Sequence, residues 1–494
     1  MPAGVVKAVS EIRLRYGGLI IFASRVVSLI ISLLFTMVIA RRLAVSEFGV
    51  WHFLSSALTF FTFTGGFVCM WIIRYTARGH RVAKTGVLIN LSLTVPLFLV
   101  FLLLSPVLAG GLGTEDALSI HYFYLAAPLI PLMSLMNSLS AVAYGRRPQY
   151  EGYGLIVFEL SKLLVCLLLL VFFNLGLYGV LSALIAAYSL QCLFYLYNFR
   201  DEWREGFKAA YAKKWLLSSW IVFYSAVGSI IIGLDRFFVG LLTDANSLAM
   251  YGAAYNIASL MGLSLFLIRA LYPKLLGEED RGKIQESVET SLRFLLMLST
   301  PMLLGSFVLG RQIVTILGSK YLEGLSVFYI LALAYFLSCL SSFSTDVIGG
   351  VERVDADLGF SQKELLRSGL FISSSFLYLY AAIFVPLLLI LVPPYGIVGG
   401  ASAVAASYAV LALVNNVIAH RRTGYKFPVK AWLRYLACSL AMAGVVWLVS
   451  PVYTVETVGA IVLGIAIYFS LLYAVDKEVR LLVRALVAAA RLSF

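Results

Sequence analysis

The sequence predicts an all-α polytopic membrane protein of about fourteen transmembrane helices, built as two parallel six-helix lobes around a central cavity with two further C-terminal helices. Three observations carry that prediction: the composition, the recurrence of apolar runs about 20 residues long, and an internal similarity six runs apart. Hydrophobic residues fill 61% of the 494 positions and charged residues 13%, against about 45–50% and about 25% in soluble domains. Apolar runs recur from residue 17 to residue 475 with only short polar breaks, so one membrane domain takes nearly the whole chain.

A helix crossing about 30 Å of hydrocarbon at 1.5 Å per residue needs about 20 apolar residues, and its backbone groups must bond internally. In order, that criterion selects residues 17–40, 49–71, 85–105, 118–142, 153–174, 177–198, 215–242, 249–271, 291–311, 325–348, 368–392, 397–420, 431–450 and 457–475. Only the Leu175-Gly176 turn separates the fifth span from the sixth, and only Pro393 to Gly396 the eleventh from the twelfth. The N-terminal run is too long for a signal-peptide core and reads as a retained span.

Counting Lys and Arg in alternate loops sets the orientation. With the N-terminus inside, cytoplasmic segments hold 28 of the 38 and outer loops hold Arg41, Arg42 and Lys320. Both termini are therefore expected in the cytoplasm. The expected divisions are a cytoplasmic segment 1–16, a first lobe 17–198, a cytoplasmic linker 199–214, a second lobe 215–420, spans thirteen and fourteen at 431–475, and a cytoplasmic tail 476–494. Arg480, Arg484 and Arg491 place that tail on the leaflet as an amphipathic helix. The net charge of +13 is spread over short clusters such as Arg74/Arg78/Arg81/Lys84, so it reads as topology and contact with membrane lipids, not as a nucleic-acid surface.

The two similar stretches are Leu175 to Leu190 and Tyr395 to Val410. Each sets a Gly-containing outer turn before a helix of small residues. They fall at spans six and twelve. A six-span repeat restores the original direction, which makes the halves parallel, and such halves usually rock against each other.

No signal for enzymatic chemistry rises above background. The outer loops are short, and His52, His80, His121 and His420 are scattered. The five cysteines show neither CxxC nor Cys/His metal spacing, so no metal or cofactor is expected. What remains is charge inside spans, which normally faces protein or a wet cavity. Arg25 lies about 12 Å into span one. Glu159 and Lys162 share span five at i, i+3, which suits either mutual neutralisation or a substrate role for Lys162. Asp235 and Arg236 are neighbours in span seven and point in different directions, so they are not expected to pair. Arg269 closes span eight, Asp346 ends span ten, and Arg293, Arg311 and Arg434 lie at span ends. In the inner half, Arg25, Lys162 and Arg269 stand against Glu159, a basic surplus suited to a phosphate or pyrophosphate cargo. The sequence leaves open whether Na⁺ or H⁺ is coupled through Glu159, Asp235 or Asp346.

Five segments resemble the polysaccharide transporters, or O-antigen flippases, of the superfamily that also holds multidrug-and-toxin extrusion (MATE) transporters and lipid II flippases. Ala40-Arg41-Arg42-Leu43 through Ser46-Glu47-Phe48-Gly49 is similar to the family's ARLLGPEEFG turn, with Ala44 and Val45 where Gly and Pro are usual. Leu234 to Gly240 is similar to its DRF segment, followed at the expected distance by Met250 to Tyr255. Tyr272-Pro273-Lys274-Leu275 and Ile316 to Tyr321 resemble its exit from span eight and its FGxxY loop. The resemblance implies transport of a lipid-linked oligosaccharide to the outer leaflet, a cavity lined by cations at Arg25, Arg236 and Arg269, and glycosyltransferases or a polymerase as pathway partners. Two rivals are a cation-coupled drug exporter, which calls for an acidic cavity, and a membrane glycosyltransferase, which calls for a large acid-bearing outer loop.

Overall fold

The computed structural model describes residues 3–63, 65–112, 118–218, 220–268, 271, 275, 278, 280–351, 369–449, 451, 453–476 and 479–480. In chain order the helices are α1 (Ala3–Arg42), α2 (Val45–Phe61), α3 (Gly65–Ala77), α4 (Ala83–Gly110), α5 (Leu118–Ala126), α6 (Leu129–Arg146), α7 (Gln149–Leu167), α8 (Gly176–Asn198), α9 (Ala209–Ser218), α10 (Trp220–Gly233), α11 (Asp235–Leu242) and α12 (Ala245–Ala258). They continue as α13 (Arg281–Val308), α14 (Gly310–Leu317), α15 (Leu325–Gly350), α16 (Gly369–Thr423), α17 (Val429–Val449) and α18 (Thr454–Val475). The chain forms two compact units, Met1–Ala249 and Met250–Phe494.

Among the described residues, 11 helices are long and apolar enough to cross a membrane. The fourteen expected spans reduce to that number in identifiable places. The expected 49–71 span is divided between α2 and α3, and 215–242 is interrupted at Leu234, between α10 and α11. The eleventh and twelfth run together in α16, whose backbone breaks at Gly396 (φ 56°, ψ −136°). The break before α11 has a local cause. Leu234 forms a turn, its N–H donating to the Ile231 carbonyl, and Asp235 restarts the helix from its first position, where a carboxylate suits the unpaired N–H groups. The expected tail at 476–494 lies almost wholly outside the described residues.

Helices in lipid gain little hydrophobic drive from pairing, so close backbone approach and interhelical hydrogen bonds decide the contacts. In the first unit α1 packs on α7, α7 on α8, and α6 on α3, α4 and α8. Glycines mark the closest points. A Cβ at Gly152 would lie 2.8 Å from Ser24 Oγ, and one at Gly145 would lie 2.9 Å from Thr76 Cβ. Asn90 Nδ2 donates to the Ser134 carbonyl (2.9 Å) and to Ser138 Oγ (2.8 Å), tying α4 to α6. In the second unit Asn415 Nδ2 donates to Ser341 Oγ (2.9 Å) and Thr345 Oγ1 (3.1 Å), and Tyr468 Oη donates to the Met297 carbonyl (2.7 Å).

The internal repeat is visible in backbone geometry. Gly176 and Gly396, at matching places in the two similar stretches, have φ of +54° and +56°. Three residues on, Gly179 and Gly399 each allow the preceding helix to press against the turn: added Cβ atoms would lie 3.2 Å from Leu169 Cβ and 2.1 Å from the Leu391 carbonyl oxygen. Each hairpin is also closed by an aromatic pair, Phe158 with Tyr188 at 4.5 Å and Tyr380 with Tyr408 at 4.9 Å.

Candidate functional site

The charged side chains of the first unit gather along the α1–α7 seam. At the end of the bundle that carries Arg74 to Arg81, Arg25 Nη2 stands 3.4 Å from Glu151 Oε1, and the Arg25 side chain is 42% exposed. Further along, Lys162 Nζ lies 2.7 Å from Glu159 Oε2, with both side chains buried. Ser32 Oγ donates to both Glu159 oxygens at 3.0 Å and Ser28 Oγ to one at 3.1 Å, while Lys162 Nζ also donates to Ser32 Oγ at 3.1 Å. The Lys162 ammonium sits 4.8 Å from the Phe35 ring centre and 5.0 Å from that of Phe158. Every strong acceptor and donor of this pair is met inside the protein, which a charge pair in a low-dielectric seam requires.

Arg25 has a different setting. It lines a cavity of about 410 Å³ together with Cys69 and Ile73 of α3, Asn137, Ser140, Ala141 and Tyr144 of α6, and Glu151 of α7. That size falls within the range of small-ligand sites, about 300–1,000 Å³. A guanidinium carries five N–H donors in a rigid fork, and the long contact to Glu151 leaves most of them for a ligand. Lys162 is not among the lining residues.

Two sequence expectations need amendment here. Asp235 and Arg236 do approach one another, with Arg236 Nε 3.9 Å from Asp235 Oδ1. The helix restart at Asp235 puts its carboxylate at the mouth of the turn, within reach of the long arginine stem. The basic surplus also shrinks, because Arg25 and Lys162 each have a carboxylate beside them, Glu151 and Glu159. Arg269 lies outside the described residues, and Asp346 is half-buried near the Gly349-Gly350 end of α15. Among the span-end arginines, Arg434 closes on the buried Asp476, Nη1 to Oδ2 at 3.2 Å.

The turn after α1 is equally specific. Glu47 Oε2 accepts from the Ala44 N–H at 3.1 Å, and Oε1 accepts from the Leu177 N–H at 3.1 Å and from Tyr122 Oη at 3.2 Å. One carboxylate thus pins the starts of α2 and α8 to α5.

With this geometry in view, the model of a family described as polysaccharide biosynthesis protein matches residues 38–326, more than half of the chain. The chain belongs to this family. The match takes in the Glu47 turn, the Glu159–Lys162 pair and the Asp235 helix start, but begins after Arg25. A putative O-antigen transporter of Shigella flexneri is 23% identical over 230 residues, 44% of this chain and 54% of that relative. The alignment therefore spans about half the length of that curated relative. Among solved structures, lipid II flippase MurJ in an inward closed conformation superposes with a TM-score of 0.64 at 12% identity, covering 93% of this chain and 99% of that one. An inward-facing multidrug resistance MATE family transporter of the MOP superfamily also scores 0.64 at 13% identity, over 80% of this chain and 94% of its own. At such identities the likeness is one of fold. This polysaccharide biosynthesis family member is thus a multi-pass, MATE-like helical membrane protein, and the relatives named here are transporters and a flippase, not enzymes.

Sequence reasoning does not single out Glu151 or the α6 residues Asn137, Ser140 and Tyr144 of the cavity lining. The span-length criterion starts span five at residue 153 and so leaves Glu151 in a loop, although Glu151 and Glu159 stand eight residues apart on one helix face.

Proposed function

We propose that this protein flips a lipid-linked oligosaccharide bearing a phosphate or pyrophosphate from the cytoplasmic to the outer leaflet, for surface polysaccharide or glycoprotein synthesis. The observation that carries the reading is Arg25: an exposed guanidinium in a cavity, about eight residues inside an apolar helix, where an isolated charge is costly and is normally kept for a ligand. Family membership and the name of the Shigella relative support the same reading. The excess of Lys and Arg on alternate loops supports both termini in the cytoplasm, which puts the Arg25 cavity on the cytoplasmic side. The lipid tail stays in the bilayer while the head enters the Arg25 cavity of the first unit, in a cycle of alternating access. Arg25 then replaces the water lost by the phosphate with charge-assisted hydrogen bonds. A potential negative inside favours outward movement of the anionic head by about 2.3 kcal/mol per charge per 100 mV.

Arg236 and Arg269 stay as proposed further cationic contacts. If Na⁺ or H⁺ is coupled, Glu159, Asp235 and Asp346 are its proposed carriers. Glycosyltransferases or a polymerase of the same pathway are the proposed partners.

The test is export of surface glycan in cells carrying Arg25→Ala or Arg25→Glu, with membrane abundance checked. Both should abolish export, and Arg25→Lys should keep only part of it, since an ammonium lacks the fork. Full export in the Ala and Glu variants overturns the proposal. Drug-resistance assays and sugar-transfer assays on purified protein give the rival readings their chance, and both are expected to be negative.

A further inference from the structure

We infer that the α6 face carrying Asn137, Ser140 and Tyr144, together with the Glu151 carboxylate, is a carbohydrate-reading wall that binds the sugar next to the lipid phosphate. The inference rests on the reading of Arg25 as the phosphate contact. It adds a specificity-determining set of residues to that contact.

Four observations lead to it. First, Asn137, Ser140, Ala141 and Tyr144 recur at i, i+3, i+4 and i+7, so they form one stripe of the helix, and all four line the Arg25 cavity. The stripe runs about 10 Å along the axis, a longer reach than one phosphate needs. Second, the lining holds one cation and one carboxylate. A pocket made for bare pyrophosphate alone would carry surplus positive charge; here the remaining polar groups are an amide, a hydroxyl and a phenol, which both donate and accept.

Third, Glu151 Oε2 is buried and has no hydrogen-bond partner among the described residues. Buried polar atoms are nearly always paired, and a carboxylate oxygen can only accept. A fully ionised phosphate also only accepts. A ligand group that pairs with Oε2 brings O–H or N–H, as a sugar hydroxyl or an acetamido group does. Fourth, Tyr144 stands 45% exposed at the cavity rim, and a phenol ring presents a flat apolar face with a polar handle at its edge, matching the mixed character of a pyranose ring.

The experiment uses purified full-length protein in lipid nanodiscs and two probes: undecaprenyl pyrophosphate, and the same lipid pyrophosphate carrying one N-acetylhexosamine. Wild type should bind the sugar-bearing probe at least tenfold more tightly. Asn137→Ala with Ser140→Ala, and separately Glu151→Gln, should lower that ratio at least fivefold. Tyr144→Phe, which removes one oxygen from an exposed side chain and does not threaten folding, should lower it severalfold. A wild-type ratio near one, or a wild-type ratio preserved in the folded variants, overturns the wall. Arg25→Ala should weaken both probes alike. If it weakens neither while the α6 variants still change the ratio, the phosphate reading of Arg25 has failed and the wall has not.

Discussion

Removing either member of the Glu159–Lys162 pair should damage the protein far more than removing both. Lys162→Met leaves the Glu159 carboxylate buried against three hydroxyl bonds with no counter-charge, and Glu159→Gln leaves an ammonium between Phe35 and Phe158 with neutral acceptors and no counter-charge. Breaking a buried pair from one side costs about 3–5 kcal/mol, whereas replacing both members with apolar residues of similar volume is often neutral. The serines in the double variant Glu159→Leu/Lys162→Met have a fallback, since a helical Ser can bond the carbonyl four residues back. The expected order of thermal stability of the purified protein in detergent is therefore wild type near the double variant, with both single variants well below. Because Lys162 does not line the Arg25 cavity, the double variant should still support glycan export. Single variants as stable as wild type would show that the pair is not closed. A stable double variant without export would return the pair to the transport cycle.

Three further outcomes follow from local geometry. Gly176→Ala and Gly396→Ala both force an L residue into left-handed backbone, at about 1–2 kcal/mol each, but the Gly176 methyl would also meet Glu47 Oε1 at 2.5 Å while Gly396 faces open space; the first variant should therefore unfold at the lower temperature, and the reverse order would contradict the pinning role of Glu47. Gly154→Ala would set a methyl 2.2 Å from the Tyr195 hydroxyl and should cost about 1–3 kcal/mol by overpacking, read as a fall in membrane abundance and in thermal midpoint. Asp244 caps α12, its Oδ1 accepting from the Asn246 and Ser247 N–H groups at 2.8 and 3.0 Å, so Asp244→Ala should cost about 1 kcal/mol. Burial pushes that carboxyl up, yet the bonds from Ser247 and Asn246 outweigh it and hold the pKa below its usual value. The cap's charge-dependent contribution is thus whole above the ordinary carboxylate range and is lost as pH falls through the lowered value; the stability gap between wild type and Asp244→Ala should narrow in acid.

The elements readable in advance are those whose cause is local. Gly176 and Gly396 announced their turns because each stood between two apolar runs of membrane-spanning length, and no other residue type tolerates those backbone angles so easily. Span length alone could not reveal that 49–71 breaks into α2 and α3 or that 215–242 restarts at Asp235, because a hydropathy window averages across a short turn. The Glu159–Lys162 contact was legible as an i, i+3 pair, but its closure by Ser28 and Ser32 comes from a helix over 120 residues away. Glu151 illustrates the same limit. Its partner Arg25 is 126 positions distant, and the α6 stripe beside it reads locally as ordinary small and polar residues of a membrane helix.

The internal repeat clarifies why chemistry and scaffold part company. The two hairpins share a left-handed glycine, a second glycine three residues on and an aromatic closure at nearly equal distance, all features imposed by turning one membrane helix tightly into the next. Their charge is not shared. Span five carries Glu159 and Lys162, whereas residues 368–392 of span eleven contain no Asp, Glu, Lys or Arg. A charge inside hydrocarbon needs a partner helix furnished to receive it, and α1 supplies one through Ser28, Ser32 and Phe35. Backbone requirements keep a repeat recognisable, while each buried charge has to be matched anew by its neighbours. The polar seam and the Arg25 cavity beside it are consequently properties of the first unit's own side chains, and substitutions among the residues that line the cavity should alter ligand binding without disturbing the hairpin turns of either unit.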